Sequence, residues 1–316
     1  SVCAAKLTGA ATMRGCAVTG ISSGANGGIV AANGASVLIE NCIIAGNYHR
    51  QRNSTDYATV SLEGGATMRG CEVSGNVLAA SSYAAAASKY RAAGILCLKG
   101  TVDRCVVTNN LARDRAHVAG VYLGGSSTLV NSLVAGNRFE LTEFTTAVAA
   151  GVYLNASTAR LEHCTVADND NPRPAGAHGV FLAAGSARNS VIAGNGPDGR
   201  RQFVTTQSTP SVAACCIEGL EVSGTGNLAA DPLFADAAHG DYRLRLDSPA
   251  LGVADATDGP VTDLAGVARP QGTAPDMGCF EHPVGLPECE IDLLSDPEGP
   301  LPYTLSVRGL VPAGAA

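Results

Sequence analysis

Large aromatic residues are scarce in this 316-residue chain. Tryptophan is absent, and aromatic residues make up only 4% of the sequence. A conventional core built on large rings is therefore not expected. Glycine accounts for 38 residues and alanine is abundant, which suits a narrow interior filled by small and branched side chains.

Several classes of protein are excluded by what else is missing. The formal net charge of −7 gives no basic stripe for nucleic acid. No stretch of about 18 apolar residues is present that could form a membrane span. The N-terminus has neither the charged region nor the long apolar segment of a signal peptide. We therefore expect a chain that starts in the middle of a repeat and belongs to a longer protein with neighbouring domains.

One pattern occurs eight times: a bulky apolar residue, a small thiol or hydroxyl three residues later, and an apolar residue two further on. Roughly 25 to 34 residues separate the copies, a period typical of solenoids. The eight triplets are Met13/Cys16/Val18, Ile39/Cys42/Ile44, Met68/Cys71/Val73, Val102/Cys105/Val107, Leu129/Ser132/Val134, Leu161/Cys164/Val166, Ala187/Ser190/Ile192 and Val212/Cys215/Ile217.

The middle position of the triplet predicts an interior ladder of small side chains. Its members are Cys16, Cys42, Cys71, Cys105, Ser132, Cys164, Ser190 and Cys215. Because serine replaces cysteine twice, we expect size to matter there more than sulfur. The chain has no CxxC pair or Cys/His cluster with zinc spacing, so no metal site is expected. The pairing of Cys3, Cys97, Cys216, Cys279 and Cys289 is left open.

An asparagine follows most triplets, and we expect these residues to stack at one corner as a hydrogen-bonded ladder. The ladder asparagines are Asn47, Asn76, Asn110, Asn137, Asn169 and Asn195. A further strand precedes each triplet, as in GVYL from Gly120 and from Gly151. Each repeat thus holds three short strands, which is one coil of a parallel β-helix.

These motifs resemble the right-handed parallel β-helix proteins of the pectate-lyase-like superfamily over about residues 4–217. The resemblance implies an all-β solenoid of about eight coils with a C-terminal cap, but it says almost nothing about activity. We predict three segments: a parallel β-helix over 1–217, a capping segment over 218–283, and over 284–316 a linker or the start of a truncated immunoglobulin-like PKD domain. The middle segment, with its DPLF, GDYRL and SPA motifs and closing G-x-F-E, resembles the "choice-of-anchor Q" group of bacterial surface proteins. Membership of that group implies an extracellular or cell-surface location.

Long insertions all follow the ladder asparagine, so we expect them to lie along one side of the solenoid, where binding residues concentrate. Two interpretations of these insertions remain open. They are either solvated loops without a ligand, or they bind an acidic or neutral glycan through arginine and aromatic side chains. The candidate binding residues are Tyr48, Arg50, Arg52, Tyr57, Lys89, Tyr90, Arg91, Arg113, Arg115, His117, Arg138, Arg200 and Arg201.

An enzyme is the alternative that the superfamily resemblance implies. Lyases of this fold use Arg or Lys with Ca²⁺, and hydrolases use closely set carboxylates. Outward positions beside the triplets show no carboxylate pair on successive coils. The best constellation, Asp168, Asp170, Arg173 and His178, is generic, and His163 nearby is expected to face solvent.

The sequence therefore favours a non-catalytic extracellular module, serving as a structural stalk or as an adhesin-like module that binds a polysaccharide or cell-surface glycan. It implies no cofactor, with Ca²⁺ only for a lyase. A polysaccharide lyase or glycoside hydrolase acting on an acidic polysaccharide along the loop-lined side remains the alternative.

Overall fold

Parallel strands make up almost all of the regular structure. The computed structural model describes residues 3–23, 28–51, 57–80, 91–114, 116–140, 148–173, 176–197, 199, 201–283, 289–293 and 305–309. The first sheet contains Ala5–Thr8, Val30–Asn33, Tyr57–Glu63, Arg91–Cys97, Val121–Leu123, Val152–Leu154, Val180–Leu182 and Phe203–Thr205. The second sheet contains Thr12–Arg14, Leu38–Glu40, Ala66–Arg69, Gly100–Asp103, Ser127–Val130, Arg160–Glu162, Ser186–Arg188 and Ser211–Ala213.

Two more parallel sheets complete the coil. The third sheet contains Ala17–Thr19, Ile43–Ala45, Glu72–Ser74, Val106–Thr108, Leu133–Ala135, Thr165–Ala167, Val191–Ala193 and Cys216–Ile217. The fourth sheet contains Ser22–Ser23, Tyr48–Gln51, Val77–Ala80, Leu111–Asp114 and Arg138–Phe139. Successive coils pair in parallel in every sheet, which confirms the predicted all-β parallel solenoid.

The interior is formed by the alternate residues that the repeat places inward. Met68, Val102 and Leu129 are in register on neighbouring strands of the second sheet and are fully buried. In the third sheet, Val73 and Val107 are in register and equally buried. Because each coil buries its apolar residues against the same positions of the next coil, one continuous core runs along the solenoid.

The fourth sheet is the feature that the repeat pattern did not reveal. The insertions after the ladder asparagines begin as strands, which pair in register from Tyr48 through Val77 and Leu111 to Arg138. Their inner side chains pack against an alanine-rich layer rather than the main core. That second layer consists of Leu78, Ala93, Ala112, Ala116, Ala119, Phe139 and Ala150.

The asparagines stack at the corner between the third and fourth sheets. Asn110 Nδ2 donates to Asn137 Oδ1 at 2.9 Å and to the Val73 carbonyl at 2.9 Å. Its own Oδ1 accepts the Asn76 backbone N–H at 3.1 Å. Gln202 occupies the next rung after the last asparagine, because its Oε1 accepts from the backbone N–H and side-chain amide of Asn195 at 2.9 and 2.8 Å.

The small thiols and hydroxyls form a second ladder between the second and third sheets. The Cys42 backbone N–H donates to Cys71 Sγ at 3.4 Å, and the Cys105 N–H donates to Ser132 Oγ at 3.0 Å. Asn227 supplies the last rung, since its Oδ1 accepts the Cys215 N–H at 3.0 Å. The thiols of Cys42, Cys71, Cys97, Cys105, Cys164, Cys215, Cys216 and Cys279 are free and buried, and the free thiol of Cys16 is exposed.

The segment after the last coil contacts both the end and the side of the solenoid. At the end, Leu228 exchanges backbone hydrogen bonds of 2.8 Å with Cys215 and Ile217. Beyond it, the strands Phe234–Asp236 and Asp241–Leu244 form an antiparallel pair that flanks the 3₁₀ helix Ala237–His239. We call residues 228–282 the C-terminal segment.

Most of the C-terminal segment lies on the outer face of the third sheet. Leu244, Ala250 and Met277 pack against Val191 and Cys216 of that sheet. Nearer the middle of the solenoid, Tyr242 and Cys279 pack against a second outward group, which comprises Leu133, Ala135 and Ala167. Leu228 thus pairs with the last coil, whereas the bulk of the segment covers a side of the solenoid, and the predicted cap over the open end remains a prediction.

The chain divides into two compact units, Ser1–His282 and Pro283–Ala316. The first contains the four sheets and the C-terminal segment. In the second, the described residues form one antiparallel pair of strands, Cys289–Leu293 with Leu305–Gly309. The predicted PKD-like character of residues 284–316 remains a prediction.

Candidate functional site

The exposed face of the fourth sheet carries several of the predicted binding residues. Tyr48 and Arg138 occupy the same register position on the second and the last strand of this sheet, with Val77 and Leu111 between them. Arg50 and Arg113 share the position two residues further along, with Ala79 between them. Since successive strands lie about 4.8 Å apart, these side chains line a surface that runs parallel to the solenoid axis.

Two of these arginines are available to a ligand. Arg50 and Arg138 are exposed, and no ion pair joins either to another residue in the described parts of the chain. Arg113 forms an ion pair with Glu140, which follows the last strand of the fourth sheet. Tyr48 is 37% exposed beside Arg50, so an aromatic surface lies next to a guanidinium group.

Other predicted binding residues are internal. Arg91 is only 3% exposed at the start of a first-sheet strand, and its carbonyl accepts the backbone N–H groups of His117 and Val118 at 3.0 and 3.1 Å. His117 is half-buried. These two residues hold neighbouring coils together, so the structure does not place them on the exposed face. The side chains of Arg52, Tyr57, Lys89, Tyr90, Arg115 and Arg200 lie outside the described residues.

The catalytic candidates have different partners and do not converge. Asp170 and His178 come together, with Asp170 Oδ1 3.1 Å from His178 Nδ1. Asp168 lies at the corner after the third sheet, where its Oδ2 accepts the Tyr242 hydroxyl at 2.7 Å. Arg173 is buried with its guanidinium 5.2 Å from the centre of the Phe139 ring. The structure therefore does not assemble the four residues as one site.

His178 is held inside the fold rather than presented to a substrate. It is 2% exposed, and a guanidinium N–H of Arg201 donates to its Nε2 at 2.7 Å. Its Nδ1 lies 2.9 Å from the Asn171 backbone nitrogen. Arg201 also donates to the carbonyls of Arg173, Gly176 and Asn171. This cluster anchors the turn that leads back to the first sheet.

A row of aromatic residues on the outer face of the first sheet was not predicted from the sequence. Tyr122, Tyr153 and Phe181 are in register on consecutive strands. Their rings meet edge to face, with centroids 5.4 and 5.6 Å apart. The signal was present, because each aromatic residue lies between two inward aliphatic residues in GVYL, GVYL and GVFL.

Charges on the outer face of the second sheet are paired between coils. Arg14 Nε donates to Glu40 at 2.7 Å, and Arg69 Nε donates to Asp103 at 3.0 Å. In register, the carboxylates of this row alternate with arginines rather than lying next to each other. Exposed pairs of this kind contribute little stability, about 0.2–1 kcal/mol each.

His163 is buried, so the expectation that it faces solvent was wrong. It is 1% exposed, and the Asn189 side-chain amide lies 2.8 Å from its Nε2. Burial, together with the charges of Arg269 and Arg188, lowers the pKa of His163 to about 3, although Asp255 acts in the opposite direction. The C-terminal segment accounts for this burial, because Gly259 lies directly against the ring.

The interior thiols are mostly protonated. Burial raises the pKa of Cys97 and of Cys215 to about 12. Cys71 differs, because a hydrogen bond from the Cys105 thiol lowers its pKa to about 7, while burial raises that of Cys105. Both thiols lie within the ladder, so this interaction is internal.

Neither a metal centre nor a membrane-spanning helix occurs among the described residues. No group of three or more histidine, cysteine, aspartate or glutamate side chains there has the geometry to hold a metal ion. Within the same residues, no helix is long and apolar enough to cross a membrane. The register and exposure of Tyr48, Arg50 and Arg138 make the exposed face of the fourth sheet the candidate site.

Comparison with known proteins bears on the fold. A family model described as "Right handed beta helix region" matches residues 5–227, a stretch that includes all four sheets and ends at Asn227. The crystal structure of pectate lyase Pel9A resembles the chain with a TM-score of 0.36 and 12% sequence identity, over 87% of this chain and 69% of that chain. No curated protein matches the chain.

Proposed function

The chain belongs to the right-handed β-helix family, and we propose that it is a non-catalytic, extracellular module that binds an acidic polysaccharide along its fourth sheet. The observation that carries the proposal is that one face of the fourth sheet holds two exposed arginines, Arg50 beside Tyr48 and Arg138 three strands away. Guanidinium groups bind carboxylates in a bidentate manner, and an aromatic ring provides a surface for a sugar ring.

The repeat spacing supports a polymeric ligand rather than a small one. Register positions recur on each strand of the fourth sheet, from Tyr48 to Arg138, along the axis of the solenoid. A long polymer with regularly spaced carboxylates can contact several coils at once, and each contact after the first costs little additional entropy. Binding of this kind uses arginine and aromatic side chains and needs no metal or other cofactor.

The positions of the candidate acid and base groups favour binding over catalysis. His178 has both ring nitrogens within hydrogen-bonding distance of other residues of the fold. Asp168 accepts the Tyr242 hydroxyl, and Arg173 lies under Phe139. A lyase or hydrolase needs such groups to face the substrate.

Binding isotherms on polygalacturonate, with neutral dextran as the comparison polymer, test the proposal. We expect the intact protein to bind the acidic polymer, and to bind it more weakly at high salt, because exposed charges are screened. The double variant R50Q/R138Q should bind about thirtyfold more weakly, since the two lost charge-assisted contacts contribute on the order of 1 kcal/mol each. The matched control R14Q/R160Q removes the same charge from the second sheet and should bind like the intact protein.

Each other outcome has a definite meaning. Equal losses in the two double variants would show that net charge, not the fourth sheet, attracts the polymer. Absence of binding to either polymer would leave a structural stalk as the role of the solenoid. Release of unsaturated sugars from the acidic polymer would show a lyase and overturn the non-catalytic assignment.

A further inference from the structure

Four consecutive rungs of the ladder between the second and third sheets are thiols. On these four coils the strands before and after the corner pair in register, so the rung residues lie directly above one another. We call these residues the thiol row: Cys16, Cys42, Cys71 and Cys105. Ser132 ends the row on the next coil.

The four sulfur atoms of the thiol row point in the same direction. Each thiol donates to the backbone carbonyl two residues before it, at 3.3 Å from Cys16 and Cys105 and at 3.2 Å from Cys42 and Cys71. Because the side-chain conformation repeats on each coil, neighbouring sulfur atoms are separated by the distance between paired strands, about 4.8 Å.

This separation suits a cation that binds two thiolates in a straight line. Metal–sulfur bonds in proteins are about 2.3 Å long, so two of them in line span about 4.6 Å. Thiolates select soft cations such as Cu(I). Zinc takes four ligands in a tetrahedron, which a single row does not provide. A disulfide would need the two sulfur atoms about 2.05 Å apart, so the spacing of the coils favours the cation.

Backbone N–H groups supply the stabilisation that a buried thiolate needs. The Cys16 N–H donates to Cys42 Sγ, and the Cys42 N–H donates to Cys71 Sγ, both at 3.4 Å. Hydrogen bonds of this kind become stronger when the acceptor is ionised. The fold therefore already directs donors at the sulfur atoms that would carry negative charge.

Solvent comes close to the thiol row at two places. Cys16 is exposed. A groove of about 550 Å³ runs along the corner between the second and third sheets, and Cys71 lines it together with Gly70 and Glu72. A small cation thus has a short path to the row from outside the coil.

We infer that the thiol row binds Cu(I), a soft monovalent cation, between the sulfur atoms of adjacent coils. The row provides two such pairs, Cys16 with Cys42 and Cys71 with Cys105. Each cation displaces one proton from each thiol of its pair, so two protons pass to the solvent and no electron is transferred. Glycan binding at the fourth sheet uses other residues and is independent of this site.

Titration of the reduced full chain with Cu(I), without oxygen and against a competing Cu(I) chelator, tests the inference. We expect two cations per chain, and X-ray absorption should show two sulfur ligands around each. Cys42→Ser with Cys105→Ser leaves no adjacent thiols in the row, so the number should fall from two to none. Serine suits this position, because Ser132 Oγ accepts the Cys105 N–H at 3.0 Å and donates to the Val130 carbonyl at 2.7 Å.

A matched control removes two thiols that have no thiol neighbour in the ladder. Cys164 lies between Ser132 and Ser190, and Cys215 is followed by Asn227. Cys164→Ser with Cys215→Ser should therefore keep both cations. The single variant Cys42→Ser should keep one, bound by Cys71 and Cys105.

Three results would overturn the inference. The first is that the chelator removes all Cu(I) from the intact protein. The second is nitrogen or oxygen among the ligands in the absorption spectrum. The third is an equal loss of Cu(I) in the two double variants, which would show that any buried thiol serves. Circular dichroism of each variant verifies that the β-structure is retained, and the single variant gives the answer if the double variant does not fold.

Discussion

A single asparagine at the corner between the third and fourth sheets provides hydrogen-bond partners for several buried polar groups. Asn110 accepts the backbone N–H of Asn76 and its side-chain amide, and donates to the carbonyl of Val73 and to Asn137. All of these groups are inaccessible to water at a turn where no strand pairing can reach them. The side-chain hydrogen bonds therefore take the place of the backbone hydrogen bonds that paired strands would form. The same arrangement recurs on each coil from Asn47 to Asn195.

We expect Asn110→Ala to lower the free energy of unfolding by about 3 kcal/mol, because it leaves the buried donors of Asn76 without an acceptor. Urea unfolding followed by circular dichroism measures the change. Asn33→Ala is the matched control, since Asn33 is exposed and makes one side-chain contact of 3.3 Å. A loss below 1 kcal/mol in Asn110→Ala would mean that water or a rearranged turn satisfies these groups.

His163 predicts a dependence of stability on pH. Its pKa is about 3 in the folded chain and about 6.5 when exposed in the unfolded chain. The unfolded state therefore takes up a proton first as the pH falls, so the stabilisation is complete above pH 6.5 and is lost on acidification toward pH 3. The slope is at most about 1.4 kcal/mol per pH unit for one proton.

Comparison with His163→Asn isolates this effect. Asparagine occupies the same left-handed corner at Asn41, Asn131 and Asn189, so the variant keeps the turn and removes the titrating group. Between pH 6.5 and 5, where most carboxylates stay ionised, the free energy of unfolding should fall more steeply in the intact protein than in the variant. Parallel curves would show that His163 is protonated in the folded state too.

At the level of strands and sheets, the sequence predicted those strands in which inward apolar residues alternate with outward residues against the main core. Val152 and Leu154 point inward and Tyr153 outward, and the repeat of such strands predicts the first sheet. The fourth sheet was hidden because the described inner residues of its strands do not repeat one residue type. Those inner residues, His49, Leu78, Ala112 and Phe139, have no common size or polarity. Consequently the exposed positions of Arg50 and Arg138 could be predicted as a side of the solenoid, but not as register positions of a sheet.

Glycines before the first-sheet strands set how closely successive coils approach. A Cβ atom on Gly151 would lie 2.4 Å from the Gly179 carbonyl oxygen and 2.7 Å from a methyl group of Val166. We expect Gly151→Ala to destabilise the protein by about 2–3 kcal/mol or more, because both neighbours belong to packed coils. Thermal unfolding measures this.

Gly272→Ala provides the matched control for that substitution. A Cβ atom on Gly272 would have no other atom within 4 Å, so alanine there meets open space. The melting temperature of this variant should stay close to that of the intact protein. Equal melting temperatures for Gly151→Ala and the intact protein would show that the coils can separate locally at no cost, contrary to the tight packing of the stack.

For the molecule as a whole, the C-terminal segment is the part that repeat analysis could not place. Its contacts with the third sheet join residues distant in sequence, such as Asn189 with Asp255 and Thr165 with Cys279. No periodic pattern encodes such pairs. What the sequence does contain is the set of polar residues that fix the segment internally, Asp263, Arg269, Asp276 and Glu281. Arg269 and Glu281 form an ion pair at 3.0 Å with both side chains 1% exposed.

Arg269→Met should release the C-terminal segment while leaving the solenoid folded. The arginine donates to Glu281 and to the carbonyls of Asp276 and Gly278. Its loss leaves the buried Glu281 carboxylate without a counter-charge, which destabilises the folded segment by about 3–5 kcal/mol. Cys279 is a buried residue of the segment and Cys216 lies beneath the segment, whereas Cys164 lies in the core of the coils. Thiol labelling mapped by mass spectrometry should therefore accelerate at Cys279 and Cys216 and stay slow at Cys164.

The control for this experiment is Arg245→Met, which removes an exposed arginine from the same segment and should not alter labelling at any of the three thiols. The distinction follows from the solenoid architecture, because coils stabilise their neighbours through contacts that the segment does not interrupt. If Cys164 became reactive together with Cys279, the segment and the coils would unfold as one cooperative unit. The stability of the third sheet would then require the C-terminal segment. The segment would be part of the folding core instead of a layer added to it.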